Sequence, residues 1–151
     1  MESKPLGRSG RTLTPIGLGC VTFGREIDQE QSFRILDYAV EKEISWLDTA
    51  EAYGGGQSRA YRRNVMGIED EREVSGEMSS SEKIVGHWLA ERNCRDQIDI
   101  CTKVNTGSDP ENIRRAFNDS LERLQTDRVE IYKLHGPKPE TPIAETLGAL
   151  N

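Results

Sequence analysis

The sequence predicts an α/β fold of parallel β/α units behind a short N-terminal β-hairpin. Two observations carry this. Short apolar runs near residues 16–20, 44–49, 98–104 and 129–134 alternate with stretches whose apolar residues recur at helical spacing. Such alternation favours parallel strands joined by right-handed crossovers. In addition, two of the three steps between strand starts are close to roughly 30 residues, as repeated strand-and-helix units require.

The elements follow in order. LGRSGRTLTP reads as a small hairpin, and the glycine-flanked IGLGC as the first parallel strand. Asp28 is a helix N-cap with Gln31 three residues on, and Phe33, Leu36 and Val40 form the apolar stripe of the first helix. ISWLDT is the second strand. SSSEKIVGHWLAERN carries a capping box from Ser79 to Glu82 and an apolar face of Ile84, Val85, Trp88 and Leu89. IDICTKV is the third strand. DPENIRRAFNDSLERLQ then places Pro110 in a first helical turn and Ile113, Phe117, Leu121 and Leu124 on one stripe. VEIYKL is the fourth strand, and TPIAETLGALN starts a helix with Ile143, Leu147 and Leu150 on one face.

The step between the second and third strands is longer by roughly 25 residues. The excess lies in residues 54–78, which lack a sustained period and read as a long inserted loop on the substrate side. Its Arg59, Arg62 and Arg63 either meet an anionic substrate or form a solvated charged face. Four parallel units are half of the eight that close a (β/α)8 barrel, and no helix terminator follows Leu150. The expectation is the first half of such a barrel, apparently truncated. Its open interior would be covered by a missing C-terminal half or by a second copy in a homodimer.

Composition narrows the function classes. A chain of 151 residues has room for one domain. With 26 acidic against 20 basic residues the formal charge is −6, so nucleic acid and anionic membrane are poor partners. No run approaches the length of a membrane helix and the first residues lack a signal-peptide core, so a cytoplasmic location is expected. Cys20, Cys94 and Cys101, with only two histidines, suggest structural thiols rather than a disulfide framework or a zinc site.

Three strands end in polar residues: Asp48, Lys103 and His135. In a parallel barrel all such ends share one rim, where active sites of these barrels lie. Tyr53, in the loop after Asp48, can join them. Singly, each has an ordinary reading as a loop cap, a solvated strand end, a packed ring or a satisfied histidine. Together they outline a pocket, with Glu51 at most a supporting carboxylate.

LGRSG, GLG with TFG, LDTAEAYGGG, TKV and LHGPKP with TPIAETLGALN resemble the aldo-keto reductase superfamily over nearly the whole chain. The resemblance implies an NADPH-dependent reduction of a carbonyl substrate by an Asp, Tyr, Lys and His tetrad, here Asp48, Tyr53, Lys103 and His135. Tyr53 is then the general acid. A phenol is a poor proton donor at neutral pH, and the Lys103 ammonium favours its giving up the proton. Asp48 holds Lys103, and His135 orients the carbonyl. Cys20, Val21 and Asp48 are the residues expected beside the nicotinamide ribose, and no metal is required. The remaining cofactor contacts of the family fall in its second half, so the isolated chain is expected to have little activity. Two other readings stay open: a regulatory nucleotide-binding subunit resembling potassium-channel β subunits, and an inert half-barrel fragment.

Overall fold

The computed structural model describes residues 2–69 and 74–151. Strands β1 (Lys4–Pro5) and β2 (Thr12–Leu13) form an antiparallel hairpin, Lys4 opposite Leu13. The chain then builds β3 (Leu18–Gly19), α1 (Gln29–Glu41), β4 (Trp46–Asp48), α2 (Gly55–Tyr61), α3 (Ser80–Arg92), β5 (Asp99–Val104), α4 (Pro110–Leu124), β6 (Ile131–Leu134) and α5 (Ile143–Leu150). Strands β3, β4, β5 and β6 lie side by side in sequence order, all parallel. The four-stranded parallel sheet is half the number of strands in a (β/α)8 barrel. Among the described residues no helix is long and apolar enough to cross a membrane.

Register separates the sheet into two chemically different faces. Leu18 pairs with Leu47 and Leu47 with Ile100, and these residues pack with Leu36, Val85 and Trp88 of the helices in the main core. Their neighbours alternate to the other face. There Gly19 pairs with Asp48, Asp48 with Cys101, and Lys103 with Lys133. A second cluster joins Val104 to Ile113 and Ala116, with Tyr132, Leu134 and Leu150 against it.

Helix ends follow local chemistry where a free side chain is available. The Asp28 carboxylate accepts the Gln31 N–H at 2.8 Å, and Asp109 accepts that of Asn112 at 2.9 Å ahead of Pro110. The expected capping box at α3 does not form. Ser79 adopts a left-handed conformation (φ 53°), and its hydroxyl donates to the Glu51 carbonyl instead. Glu82 is fully buried, accepting from the Thr102 hydroxyl at 2.5 Å and the Arg123 Nε at 2.6 Å. A buried carboxylate with such partners would lose more by turning back to a helix end than a cap returns.

Two further differences concern packing. The segment read as a loop over 54–78 opens with helix α2 and a wide turn at Arg62–Met66. It has no apolar stripe to betray it, and residues 70–73 lie outside the described residues. In α5, Ile143 and Leu147 face solvent, 65% and 57% exposed. The helix instead buries Thr146, whose hydroxyl donates to the Ser108 carbonyl at 2.9 Å.

Candidate active site

Asp48 ends β4 and Lys103 lies near the end of β5, while His135 directly follows β6, its N–H bonded to the Val104 carbonyl at 2.9 Å. Tyr53 is held in the loop after β4 by bonds from its N–H to the Ala50 carbonyl and from the Ser81 N–H to its own carbonyl. The structure therefore brings all four sequence-selected residues to the carboxyl ends of adjacent strands.

Lys103 is the hub. Its Nζ donates to Asp48 Oδ2 at 2.8 Å and to the Thr49 carbonyl at 2.7 Å, and stands 3.3 Å from the Tyr53 hydroxyl. The side chain is 9% exposed against 25% for Asp48, so the ion pair is shielded on the lysine side. Desolvation alone would raise the Asp48 carboxyl. The hydrogen bond and charge of Lys103, with smaller help from Cys101 and Lys133, outweigh it and hold the group below the usual carboxylate range. The rings of Tyr53 and His135 meet edge to face, centroids 5.3 Å apart at 80°. Burial, then the Lys103 charge, push the His135 imidazole below its ordinary value, and its Nδ1 is buried with no hydrogen-bond partner among the described residues. An ammonium beside a phenol oxygen stabilises the charge left when the proton departs, so this cluster can deliver a proton to a neighbouring oxygen.

One residue escaped the sequence reading. Lys133 Nζ lies 3.4 Å from Asp48 Oδ1, so the carboxylate sits between two ammonium groups. Lys133 is two positions before His135 on a strand, and that spacing alone would have placed it on the same face. Glu51 bridges two rim loops: its Oε2 accepts the N–H groups of Asn105 at 2.7 Å and Thr106 at 3.1 Å.

A cavity of about 350 Å³ opens beside the cluster, with Val21, Arg25, Tyr53, Tyr61, Asn105 and His135 on its wall. Cys20 is not brought there. Its thiol is fully buried and pushed up chiefly by that burial, its N–H is taken by the Asp48 carbonyl, and its carbonyl accepts from Ser81. Arg59, Arg62 and Arg63 do not line the cavity either, and Arg63 pairs with Glu69 at 3.1 Å on the exposed side.

The sequence pattern of the Aldo/keto reductase family matches residues 15–151, and the chain belongs to that family. It is 32% identical to the uncharacterized oxidoreductase YrpG of Bacillus subtilis (strain 168), over 94% of this chain and 42% of that protein. The aldo-keto reductase AKR11C1 from Bacillus halodurans, solved in its holo form, superposes with a TM-score of 0.74 at 31% identity, covering 99% of this chain and 45% of that one. A probable voltage-gated potassium channel subunit beta from Arabidopsis thaliana is 28% identical over 100% of this chain and 42% of that protein. The chain thus spans less than half the length of these relatives.

Proposed function

We propose that this chain carries the acid–base half of a cytoplasmic, NADPH-dependent carbonyl reductase. The observation that carries the reading is the Lys103 ammonium lodged between the Asp48 carboxylate and the Tyr53 hydroxyl. Tyr53 gives its proton to the carbonyl oxygen as that oxygen becomes an alkoxide, Lys103 stabilises the phenolate left behind, and Asp48 holds Lys103 in place. His135 borders the same cavity and orients the carbonyl by hydrogen bonding.

The donor set suits a nicotinamide cofactor. The Asp48 carboxylate, engaged by Lys103, Lys133 and Cys101, still has acceptor capacity among its roughly four positions for a ribose hydroxyl. When bound, the cofactor supplies the hydride. Asp48 and Val21 are the residues of this half that would hold it.

The test is oxidation of NADPH in the presence of a simple aldehyde, by this chain and by a version extended with the C-terminal half of a relative. The extended protein turns over, the short chain retains at most a trace, and Tyr53→Phe lowers the extended protein's rate by about 10²–10⁴-fold. Full turnover by the short chain refutes the half-barrel part of the reading. The potassium-channel relative favours a second reading, a nucleotide-binding regulatory subunit. Turnover barely changed by Tyr53→Phe, with co-purification of a membrane complex, would decide for it.

A further inference from the structure

We propose that Arg25 selects the substrate of this cavity and that the substrate class is a small aldehyde or ketone bearing a carboxylate. The inference rests on the reductase reading of the same site.

Among the described residues the cavity wall is electrostatically one-sided: Arg25 is the one permanently cationic residue on it, and no aspartate or glutamate lines it. Tyr53 and His135 share that wall, so a ligand with its carbonyl at the Tyr53 hydroxyl shares the enclosure with Arg25. At about 350 Å³ the space lies toward the small end of ligand sites.

Arg25 is also held in place. Its N–H donates to the Thr22 carbonyl at 3.0 Å and its carbonyl accepts from the Val74 N–H at 3.0 Å, fixing its backbone from two segments. Nε donates to both carboxylate oxygens of Glu26, at 2.6 and 2.7 Å, which orients the planar group. Among the described residues its two terminal nitrogens have no hydrogen-bond partner, and they form the fork that matches a carboxylate. The Gln57 amide on the same wall is spent: it donates to Glu51 and Ser79 and accepts from Ser79, tying α2 to the rim. Glu26 offsets part of the Arg25 charge, so selection comes mainly from directed hydrogen bonds, and removing Glu26 should strengthen it.

The test measures binding to the full chain by ligand-observed NMR, comparing levulinate with its neutral isostere in which an isopropyl group replaces the carboxylate. Levulinate is expected to bind at least about tenfold more tightly, the worth of one charge-assisted hydrogen-bonded pair. Arg25→Gln removes the preference, Arg25→Lys keeps part of it, and Glu26→Gln widens it, with circular dichroism showing each variant folded. Equal binding of the two ligands, no binding of either, or a preference that survives Arg25→Gln overturns the proposal. Tyr53→Phe separates the two readings: it leaves the levulinate preference intact, and if it also leaves turnover of the extended protein intact, the reductase reading fails while the carboxylate site stands.

Discussion

Lys103 contributes through three contacts made by one nitrogen, so its removal is felt twice. Lys103→Met leaves the Asp48 carboxylate with the longer Lys133 contact and the smaller help of Cys101, and the Thr49 carbonyl without its lysine donor. We expect a loss of about 3 kcal/mol in urea denaturation, the low end for breaking a buried pair because Asp48 keeps partial exposure, alongside loss of turnover in the extended protein. The titration of His135 and Asp48 sets a second expectation. Both groups are depressed in the folded chain, so the unfolded chain binds protons first as pH falls and stability falls with it. The His135 contribution is present above its ordinary value of 6.5 and is lost as pH drops from there toward the folded value. That of Asp48 is present above 3.8 and is lost below it in the same manner. Urea midpoints measured from pH 8 to 3 should show both phases, and His135→Gln should erase the upper one alone. Asp48, Lys103 and His135 were legible because strand ends in an apolar run rarely carry such groups, and Tyr53 because it follows Asp48 in a motif that resembles a known family. Arg25 was not, because nothing in its neighbours discloses which cavity a loop side chain lines.

Helices α3 and α4 show why some elements are readable and some details within them are not. The stripe of Ile84, Val85, Trp88 and Leu89 is buried as its spacing requires, yet Ser80, Ser81 and Glu82 are buried as well. A helix covered on several sides loses the contrast that marks one face. Gly86 looks like a weak point in a helix, but a Cβ there would stand 2.3 Å from the Arg123 carbonyl oxygen and 2.8 Å from the Leu124 carbonyl carbon. The missing side chain is what lets the end of α4 approach α3. Gly86→Ala should therefore destabilise by about 1–3 kcal/mol as an overpacked contact, despite the better helix propensity of alanine. An unchanged or raised midpoint in thermal unfolding would show that α4 can yield. The opposite misreading occurred in α2, where two glycines after the Gly54 cap and the absence of an apolar stripe concealed a helix that closes one side of the cavity.

At the level of the whole molecule, strand order and parallel sense were legible because alternation and spacing leave few unknotted arrangements. The character of the inner face was not, since it follows from register: Asp48, Cys101, Lys103 and Lys133 share the surface of the sheet opposite the one that packs in the main core. Trp46, two residues before Asp48, lies on this surface as well. Its indole occupies the space a Cβ on Gly17 would claim, 2.2 Å away, and its Nε1 donates to the Thr14 carbonyl at 3.1 Å. Trp88, by contrast, is 1% exposed among the helices, its Nε1 bonded to Asp37. The chain therefore carries two built-in optical probes on opposite sides of one sheet. Whatever settles against the inner surface, whether a cofactor ring or additional strands, should alter the emission of Trp46 and leave that of Trp88 as an internal standard, so Trp46→Phe and Trp88→Phe variants would report on the two compartments separately.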